Sequence, residues 1–488
     1  MKLKTVGGSI NLILIGCGPH GQRFYLPAIR RFGVEYGAKL SLIVELREKE
    51  AEVREYCLQN GLAPRMVFTD PFSGNNLPEA LAGELSRLAA AEGINAAIIC
   101  TDPLNHVSYA KWALSNGLHL MLDKPVSARR DAVFSLEGAE GLRRDYLELT
   151  EVYAAARRDA GVICSLCVHR RYHPAIELIA DTIAGVSGKT GCPVTNMHLY
   201  HSDGQWRLPD EMATQRHHSY FEGHGKVSHS GFHFLDCLVR FYQAGIRDAD
   251  RAADEVAVLS KFMFPPSHLL QVSESDYQVL FGTAYRERIR QLDYGQLSQP
   301  NFGELDAELD FTFSKCGTPQ TFGHISLLHN GFSRRSWLTP GADLYKGNGR
   351  VKHEEHRIHV GPFLCVHALS WQAKDMHDLD NRCENDPGGN NHFEVNIFRN
   401  SGIVGGSPFE KVQLAELPAC RGFDKSKLLI EEIKARSVSE FFSVIRGRMP
   451  ESEMLSELCS HRLAVELMSA VYKSHVGKTV CTVKTEQS

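Results

Sequence analysis

A short apolar segment that ends in a glycine turn places the strongest constraint on how this chain folds. Residues Ile10 to Ile15 are predominantly apolar, the turn Gly16-Cys17-Gly18-Pro19-His20-Gly21 follows, and an amphipathic segment comes next. Glycines at this spacing permit a tight turn and allow phosphate groups to approach backbone N–H groups at a helix N-terminus. Because a strand pattern precedes the turn, the segment predicts a dinucleotide-binding site. Its predicted cofactor contacts are Gly16, Gly18, Pro19, His20 and Gly21.

A carboxylate at the end of the second predicted strand indicates which dinucleotide is bound. Glu45 ends that strand. A carboxylate there accepts hydrogen bonds from the adenosine ribose and repels a 2′-phosphate, so Glu45 favours NAD over NADP. Arg47 follows closely and would attract such a phosphate, which keeps NADP open as the less favoured alternative.

The first third of the chain alternates apolar runs with amphipathic stretches, a pattern typical of βαβ units. Buried strands separated by helices imply a parallel sheet covered on both faces, so we predict an N-terminal Rossmann domain, a doubly wound parallel sheet. Predicted strands are Asn11–Ile15, Leu40–Val44, Met66–Phe68, Ala96–Cys100, His119–Leu122 and Val162–Val168. Predicted helices are Gly21–Phe32, Glu48–Asn60, Leu77–Ala91 and His106–Asn116.

The remaining sequence predicts a second domain of the α+β class. Apolar and polar residues tend to alternate there, which is typical of a large, mainly antiparallel open sheet. The expected boundaries are residues 1–168 for the dinucleotide-binding domain and 169–488 for the substrate-binding and oligomerisation domain, with an amphipathic helix at 454–475 docking back. The predicted strands are Glu304–Phe313, Phe322–His329, His356–His367 and His392–Phe398.

Composition excludes several partners. A formal net charge of -4 gives no basic face for nucleic acid. The run Ile10 to Ile15 is far shorter than the roughly 20 residues of a membrane-spanning helix, so we expect no membrane association. Thirteen cysteines are scattered along the chain. Several stand in apolar runs (Cys100, Cys164, Cys167), which predicts core residues of a cytoplasmic protein rather than a disulfide framework.

Residues 96–127 carry a more specific pattern, AAIICTDPLNHVSYAKWALSNGLHLMLDKPVS. This segment resembles the Gfo/Idh/MocA oxidoreductase family, whose members have a strand, a T-x-P-x-x-H turn and an E-K-P-like motif. Arg170 to Pro174 looks like the family's R-R-x-x-P segment, and residues 223–236 resemble its G-G-G-x-x-x-D-x-x-x-H-x-x-D helix. Residues 441–478 resemble its closing helix. Roughly residues 245–430 match the family only in their general pattern of apolar and polar residues.

The resemblance implies a Rossmann domain followed by an α/β domain, with substrate between them and an open sheet that often forms an oligomer interface. Most members oxidise or reduce a hydroxyl or carbonyl group of sugars, cyclitols or related compounds. On this resemblance, further cofactor contacts near the nicotinamide are expected at Thr101, Asp102, Pro103, Asn105, His106, Asp123 and Lys124.

Hydride transfer from an alcohol leaves a proton to be removed, so a group of suitable pKa must reach the reacting oxygen. Lys124 is the first candidate, and His233 stands where the family has its catalytic histidine. His229 stands where many members have an aspartate. A second imidazole supplies no negative charge to stabilise a protonated His233, so His229 either shares a proton with it or contacts the substrate.

Other candidates are less specific. Arg171, His217, His218 and Tyr220 are predicted substrate contacts, and Trp206 offers a stacking face for a sugar ring or a buried packing surface. Two histidines at i and i+4 can chelate a metal, but the chain has no H-E-x-x-H signature, so we expect no metal site.

The sequence therefore predicts an NAD-dependent dehydrogenase or reductase acting on a sugar, amino-sugar or cyclitol, in a homo-oligomer such as a dimer or tetramer. Two alternatives stay open. One is a glycosidase that uses tightly held NAD for transient oxidation and elimination, and the other is a non-catalytic nucleotide-sensing regulator.

Overall fold

The computed structural model describes residues 8–215, 219–282, 285–286, 294–300, 302–334, 349–374, 386–389, 391–424 and 429–485. Two compact units divide the chain. Unit 1 comprises Met1–Ala128, Leu142–Tyr172 and Asp424–Val465, and unit 2 comprises Arg129–Gly141, His173–Phe423 and Glu466–Ser488. The chain passes from unit 1 to unit 2 after Tyr172, close to the predicted domain boundary at residue 168. The chain also passes between the units at four other points, which a single predicted boundary does not describe. The reason is that each unit is assembled from three segments distant in sequence.

Unit 1 is built on a six-stranded parallel sheet of order β3-β2-β1-β4-β5-β6. Each predicted strand of the Rossmann domain is confirmed, with ends that differ by a few residues. The strands are β1 Ile10–Ile15, β2 Ala38–Leu46, β3 Arg65–Thr69, β4 Ala96–Ile99, β5 His119–Asp123 and β6 Cys164–Cys167. The helices that begin in this part of the chain are α1 Leu26–Tyr36, α2 Glu50–Gln59, α3 Glu79–Ala91, α4 His106–Ser115 and α5 Leu136–Ala160.

A helix from late in the chain completes the core of unit 1. Helix α13, Leu429–Ile445, places Phe441, Phe442 and Ile445 in the apolar cluster that contains β1 and α1. These three side chains are fully buried. Two ion pairs also join α13 to the region of α1: Arg23 to Glu431 at 3.0 Å and Arg31 to Glu432 at 2.8 Å.

The predicted docking helix at 454–475 begins later than expected. Helix α14 spans Arg462–Gly477, and two short 3-10 turns precede it at Glu451–Glu453 and Leu458–His461. The side chain of Glu457 accepts hydrogen bonds from the backbone N–H groups of Cys459 and Ser460. Because this cap begins a new turn at residue 458, the amphipathic pattern does not continue as one helix from residue 454.

Unit 2 contains a nine-stranded sheet of order β14-β13-β12-β11-β7-β10-β9-β8-β15. Only the pairing of β7 with β10 is parallel, which confirms the predicted mainly antiparallel sheet. The strands are β7 Asn196–Ser202, β8 Glu255–Met263, β9 Asp306–Lys315, β10 Thr318–Leu328, β11 Arg350–Val360, β12 Leu364–Lys374, β13 Glu394–Arg399, β14 Phe409–Gln413 and β15 Cys481–Lys484.

One strand prediction in this sheet is wrong. Residues 356–367 were expected as a single strand, but the chain reverses between β11 and β12, which pair as a hairpin. Gly361 lies in the reversal with φ 46, a conformation that glycine adopts at little cost. The apolar and polar alternation runs through both strands and so does not reveal the turn.

Helices α6 Pro174–Thr190 and α8 Phe232–Ala244 pack together on one face of this sheet. Side chains that alternate along β7, such as Met197 and Leu199, are buried on that face. Helix α8 follows directly on a π-helical turn, Val227–Gly231, so the turn positions the side chains at the start of α8. The shorter helices are α7 Pro209–Thr214, α9 Pro265–Gln271, α10 Glu274–Phe281, α11 Tyr294–Leu297 and α12 Ser401–Val404.

No helix in the described part of the chain is long and apolar enough to cross a membrane. The cysteines within the described ranges form no disulfide; Cys164 and Cys167 are buried and Cys100 is partly buried.

Candidate active site

The glycine turn of unit 1 leaves one backbone surface open. The N–H of Gly16 donates to Val44 O at 2.9 Å, which holds the turn against β2. A Cβ added at Gly16, where φ is +95, would lie 2.7 Å from the backbone of Cys100 and Thr101, whereas a Cβ at Gly18 would meet nothing within 4 Å. Gly16 therefore serves the packing of the turn, and Gly18 leaves space that a ligand can occupy.

Glu45 lies directly beside this turn. Its Oε2 accepts from the N–H of Cys17 at 2.6 Å and its Oε1 accepts from Leu46 N–H at 2.8 Å. Burial raises the pKa of Glu45, and these two N–H donors oppose that shift. Arg47 is directed toward the end of β3, where it donates to Phe68 O and to Asp70.

Replacing Glu45 with Ala is expected to raise the Kd for NADH by about tenfold or more, since a hydrogen bond to a charged group contributes about 1.5–3 kcal/mol. The Kd for NADPH should rise less, because the variant removes repulsion of the 2′-phosphate. Fluorescence titration with both cofactors measures the change, and Glu48→Ala, at an exposed position on the same segment, is the control. Equal losses for NADH and NADPH would contradict the role of Glu45.

Side chains join the ends of neighbouring strands at the same edge of the sheet. Cys100 Sγ donates to Gly16 O at 2.9 Å, which links β4 to the glycine turn. The ring nitrogens of the buried His106 lie 2.8 Å from Pro125 O and 3.1 Å from Thr101 O. His106 therefore holds two predicted cofactor-contact segments together.

The turn between Thr101 and His106 has its own local support. Asp102 Oδ1 accepts from Leu104 N–H at 2.9 Å and caps the 3-10 turn Pro103–Asn105. The buried Oδ1 of Asn105 has no hydrogen-bond partner among the described residues. Because a buried polar atom normally has a partner, Asn105 fits a contact to a ligand at this edge.

Asp123, at the end of β5, is a point of contact for several groups. Its Oδ1 accepts from Lys124 N–H at 2.8 Å, and its Oδ2 accepts from Tyr25 OH at 2.9 Å. His20 Nε2 lies 2.7 Å from Oδ2, and Lys434 Nζ lies 2.7 Å from the same ring nitrogen. Burial alone would raise the pKa of Asp123, but Lys434 and His20 hold it well below its usual value.

Lys124 is partly buried and follows Asp123 directly, and the Lys124–Pro125 peptide bond is cis. Its backbone is tied to the Asp123 carboxylate, and Pro125 O is within reach of His106. The backbone of Lys124, the candidate proton-transfer residue, is therefore held by Asp123 on one side and through Pro125 by His106 on the other.

In unit 2, the predicted histidines stand on consecutive turns. His229 lies in the π-helical turn Val227–Gly231, and the buried His233 lies in the first turn of α8. The ring of Tyr220 approaches His229 edge-on with centroids 5.5 Å apart, and the ring of His224 is 6.0 Å from it. The structure thus brings the predicted residue Tyr220 beside His229.

Tyr220 also contacts a residue that the sequence did not indicate. Its hydroxyl lies 2.6 Å from Nδ1 of the buried His329, which follows β10. Burial and the nearby Arg207 hold the pKa of His329 well below its usual value, so its ring is neutral at physiological pH. Its Nε2 has no hydrogen-bond partner among the described residues.

A second group that sequence reasoning missed surrounds Asp203. Lys226 is fully buried, and its Nζ contacts the Asp203 carboxylate and lies 2.9 Å from His201 Nδ1. Arg350 binds the same carboxylate and donates from Nε to Asp203 O at 2.8 Å. Burial lowers the pKa of Lys226 to about 8, and Asp203 opposes this shift.

Arg171 was a predicted substrate contact, and Trp206 was expected as either a stacking face for a sugar ring or a buried packing surface; both have partners within the protein. Arg171 donates to Leu455 O at 2.9 Å and to Ser460 Oγ at 2.6 Å, so it anchors the segment before α14. The partly buried Trp206 packs against Tyr277, with ring centroids 5.8 Å apart. His217 and His218 lie outside the described residues.

The buried Glu304 supports the loop that leads into the histidine turn. Its Oε1 accepts from Val227 N–H at 2.7 Å and from Tyr472 OH at 3.2 Å. A Cβ at Gly225 would lie 1.9 Å from Oε2, so this carboxyl packs closely against the loop backbone. Burial raises the pKa of Glu304 from 4.5 to about 7.

The raised pKa of Glu304 predicts a pH-dependent stability. The folded state retains the proton that the unfolded chain loses above about pH 4.3, so stability decreases as the pH rises from there to about 7. We expect the free energy of unfolding to fall by up to about 3 kcal/mol over this pH range. Glu304→Gln should remove this pH-dependent decrease, because the amide does not titrate. Thermal unfolding at several pH values measures it, with Glu92→Gln as the surface control; equal pH slopes in wild type and Glu304→Gln would refute the prediction.

Comparisons with known proteins agree with the geometry of unit 1. Residues 10–141 match the sequence profile of the Gfo/Idh/MocA oxidoreductase family, NAD-binding Rossmann fold. Comparison with curated protein sequences gives no significant match. The glycine turn, Glu45 and the linked strand ends fit the NAD that this family binds.

Solved structures share the fold over nearly the whole chain. An oxidoreductase domain protein from Kribbella flavida is 15% identical with a TM-score of 0.60, covering 98% of this chain and 100% of that chain. The WlbA dehydrogenase from Bordetella pertussis, in complex with NADH and UDP-GlcNAcA, is 13% identical with a TM-score of 0.57, covering 99% of each chain. An oxidoreductase from Agrobacterium radiobacter, in complex with NAD+, L-tartaric acid and magnesium, is 11% identical with a TM-score of 0.57, covering 98% of each.

Proposed function

We propose that this chain transfers hydride between NAD and a hydroxyl or carbonyl carbon of a sugar, amino-sugar or cyclitol, because residues 10–141 match the Gfo/Idh/MocA family of NAD-binding oxidoreductases. The observation that carries the proposal is the linkage of strand ends in unit 1. Cys100, His106 and Asp123 tie together the glycine turn, the Thr101 turn and the backbone of Lys124. The backbone of Lys124, the candidate proton-transfer residue, is thereby held at the edge of the sheet where a parallel α/β fold binds its ligands.

Bound NAD would supply the hydride acceptor, held by the glycine turn and by Glu45. Lys124 is proposed to orient the substrate oxygen and to take its proton during oxidation, or to return it during reduction. The ionised Asp123 accepts the N–H of Lys124 and so fixes the start of that side chain. Positioning of this kind contributes to rate because it holds the proton acceptor in place before the reaction.

Unit 2 supplies the second candidate for proton handling, His233, with His229 beside Tyr220. A neutral His329 accepts from or donates to the hydroxyl of Tyr220, so the tyrosine is held in one orientation. We propose that Tyr220 contacts a substrate hydroxyl and that His329 fixes it for that contact. Substrate contact by His217 and His218 stays a prediction, as do a homo-oligomer and a cytoplasmic location.

Two of the structural neighbours support the substrate class. The Bordetella pertussis structure holds UDP-GlcNAcA, and the Agrobacterium radiobacter structure holds L-tartaric acid. Both compounds are polyhydroxylated and carry carboxylates. Sugar acids and nucleotide-linked sugars therefore belong in the first set of substrates to be tested.

The test is a panel of sugars, sugar acids, amino-sugars and cyclitols, incubated with the purified chain and NAD+, or with their oxidised forms and NADH. The expected result is a change in nicotinamide absorbance with a subset of the panel, at a rate about a thousandfold lower in Lys124→Met. Cleavage of a glycoside without net NADH would establish the glycosidase alternative. Tight NAD binding with no turnover of any compound would favour the sensing regulator.

A further inference from the structure

A lysine from the late helix α13 reaches the glycine turn of the cofactor-binding unit. Lys434 is 5% exposed, and its Nζ lies 2.7 Å from His20 Nε2. The same ammonium stands 4.4 Å from the centroid of the Phe24 ring. Burying an ammonium is costly unless other groups compensate for the lost water, so this charge is specifically accommodated. It lies far outside the segment that matches the family profile, residues 10–141.

The charges of the cluster formed by Lys434, His20, Asp123 and Lys124 do not cancel. Asp123 is ionised, and its carboxylate is the negative group of this cluster. Burial and the adjacent Lys434 lower the pKa of His20 to about 4, although Asp123 opposes this, so His20 is neutral at physiological pH. Lys124 acts electrostatically on both His20 and Asp123. Among Lys434, Lys124, His20 and Asp123, two lysines therefore accompany one carboxylate.

We propose that Lys434 is a specificity-determining residue that makes the cofactor site favour reduced NADH over oxidised NAD+. The nicotinamide ring is positively charged in NAD+ and neutral in NADH, whereas the rest of the cofactor carries the same charge in both forms. A surplus positive charge near the ring therefore disfavours NAD+ and leaves NADH almost unaffected. The inference rests on the proposed function only in placing the nicotinamide at the Asp123–Lys124 end of the site.

A purely structural role for Lys434 makes a different prediction. Glu432, on the same helix, binds Arg31 at 2.8 Å and also helps dock α13 on unit 1. Among the described residues, the Glu432 carboxylate binds Arg31 and contacts neither His20 nor Asp123. If docking of α13 were all that matters, loss of Glu432 and loss of Lys434 would have the same consequence. A change in the ratio of the two cofactor affinities distinguishes the roles, because weaker docking lowers both affinities together.

The experiment measures Kd for NAD+ and for NADH, without substrate, in the full chain. Wild type is expected to bind NADH more tightly. Lys434→Met should shift the ratio of the two constants toward NAD+ by roughly fivefold, the effect of one charge at several ångströms in a polar protein environment. Lys434→Arg should keep the wild-type ratio, and Glu432→Gln should change the two constants equally.

A second variant guards against misfolding of Lys434→Met. Asp123→Asn removes the negative charge and should shift the ratio in the opposite direction, further toward NADH. A ratio unchanged in Lys434→Met, or shifted equally by Glu432→Gln, would overturn the proposal. An Asp123→Asn shift toward NAD+ would do the same. Failure of the substrate panel would leave these ratios as they are, so the proposed function and this inference fail separately.

Discussion

Replacing Lys124 with Met is expected to lower kcat by about a thousandfold, within the range that a positioned acid or base contributes. Methionine keeps much of the length of the side chain but cannot bind or release a proton. The Kd for NADH should stay within about threefold, because the glycine turn and Glu45 are unchanged and the reduced ring is neutral. Steady-state kinetics with the best substrate of the panel and a cofactor titration measure the two quantities.

Lys111→Met is the matched control for this change. Lys111 lies on α4 in the same unit and pairs at its surface with Glu148 at 3.5 Å. Its loss should leave kcat near the wild-type value. If Lys124→Met retained wild-type kcat, another group would have to move the proton, and the role of Lys124 would be refuted.

Substitution of the first two glycines of the turn is expected to affect different properties, cofactor binding for Gly18 and stability for Gly16. Gly18→Val should raise the Kd for NADH by about a hundredfold with little effect on stability, since space is open at that Cβ. Gly16→Ala should reduce the free energy of unfolding by about 3 kcal/mol, because its Cβ would meet the backbone of Cys100 and Thr101 at a positive φ. Thermal unfolding without cofactor and NADH titration separate the two effects.

Gly83→Ala on helix α3 is the control, because a Cβ there meets nothing within 4 Å and replaces glycine with a better helix former. This variant should leave the Kd for NADH unchanged and should raise the free energy of unfolding only slightly. Wild-type NADH affinity in Gly18→Val would exclude the open surface of the turn as the phosphate site.

Much of unit 1 could be predicted from sequence because its signals are local. Strands buried on both faces appear as continuous apolar runs, so β1 and β4 are recognisable without tertiary information. The glycine turn and Glu45 follow from strand ends that lie close in sequence. The hairpin between β11 and β12 was missed because the side-chain alternation continues past Gly361, and the start of α14 was missed because the cap from Glu457 leaves the apolar pattern intact.

The supporting charges of the site could not be predicted for a different reason. Lys434 comes from α13, distant in sequence from His20. Asp203 and Arg350 are also distant in sequence, near the end of β7 and the start of β11, and only the pairing of these strands brings them together. A lone charged residue has no sequence pattern that identifies its partner. Lys226 lay inside a segment already singled out, and its complete burial was the missing information.

His229 stands where many members of the family that this sequence resembles have an aspartate. The sequence showed an imidazole in a position where a carboxylate would help a neighbouring histidine to hold a proton. The structure places the aromatic ring of Tyr220 beside it and links that hydroxyl to His329. Tyr220 and its partner His329 are therefore groups that the sequence did not connect with His229.

Isotope transfer tests the central claim most directly. A substrate carrying deuterium on the carbon of its reactive hydroxyl is converted in ordinary water with NAD+, and the NADH formed is analysed by mass spectrometry. Direct hydride transfer predicts that the deuterium appears in NADH in proportion to the oxidised product. Oxidised product without deuterium in NADH would contradict the proposed oxidoreductase mechanism.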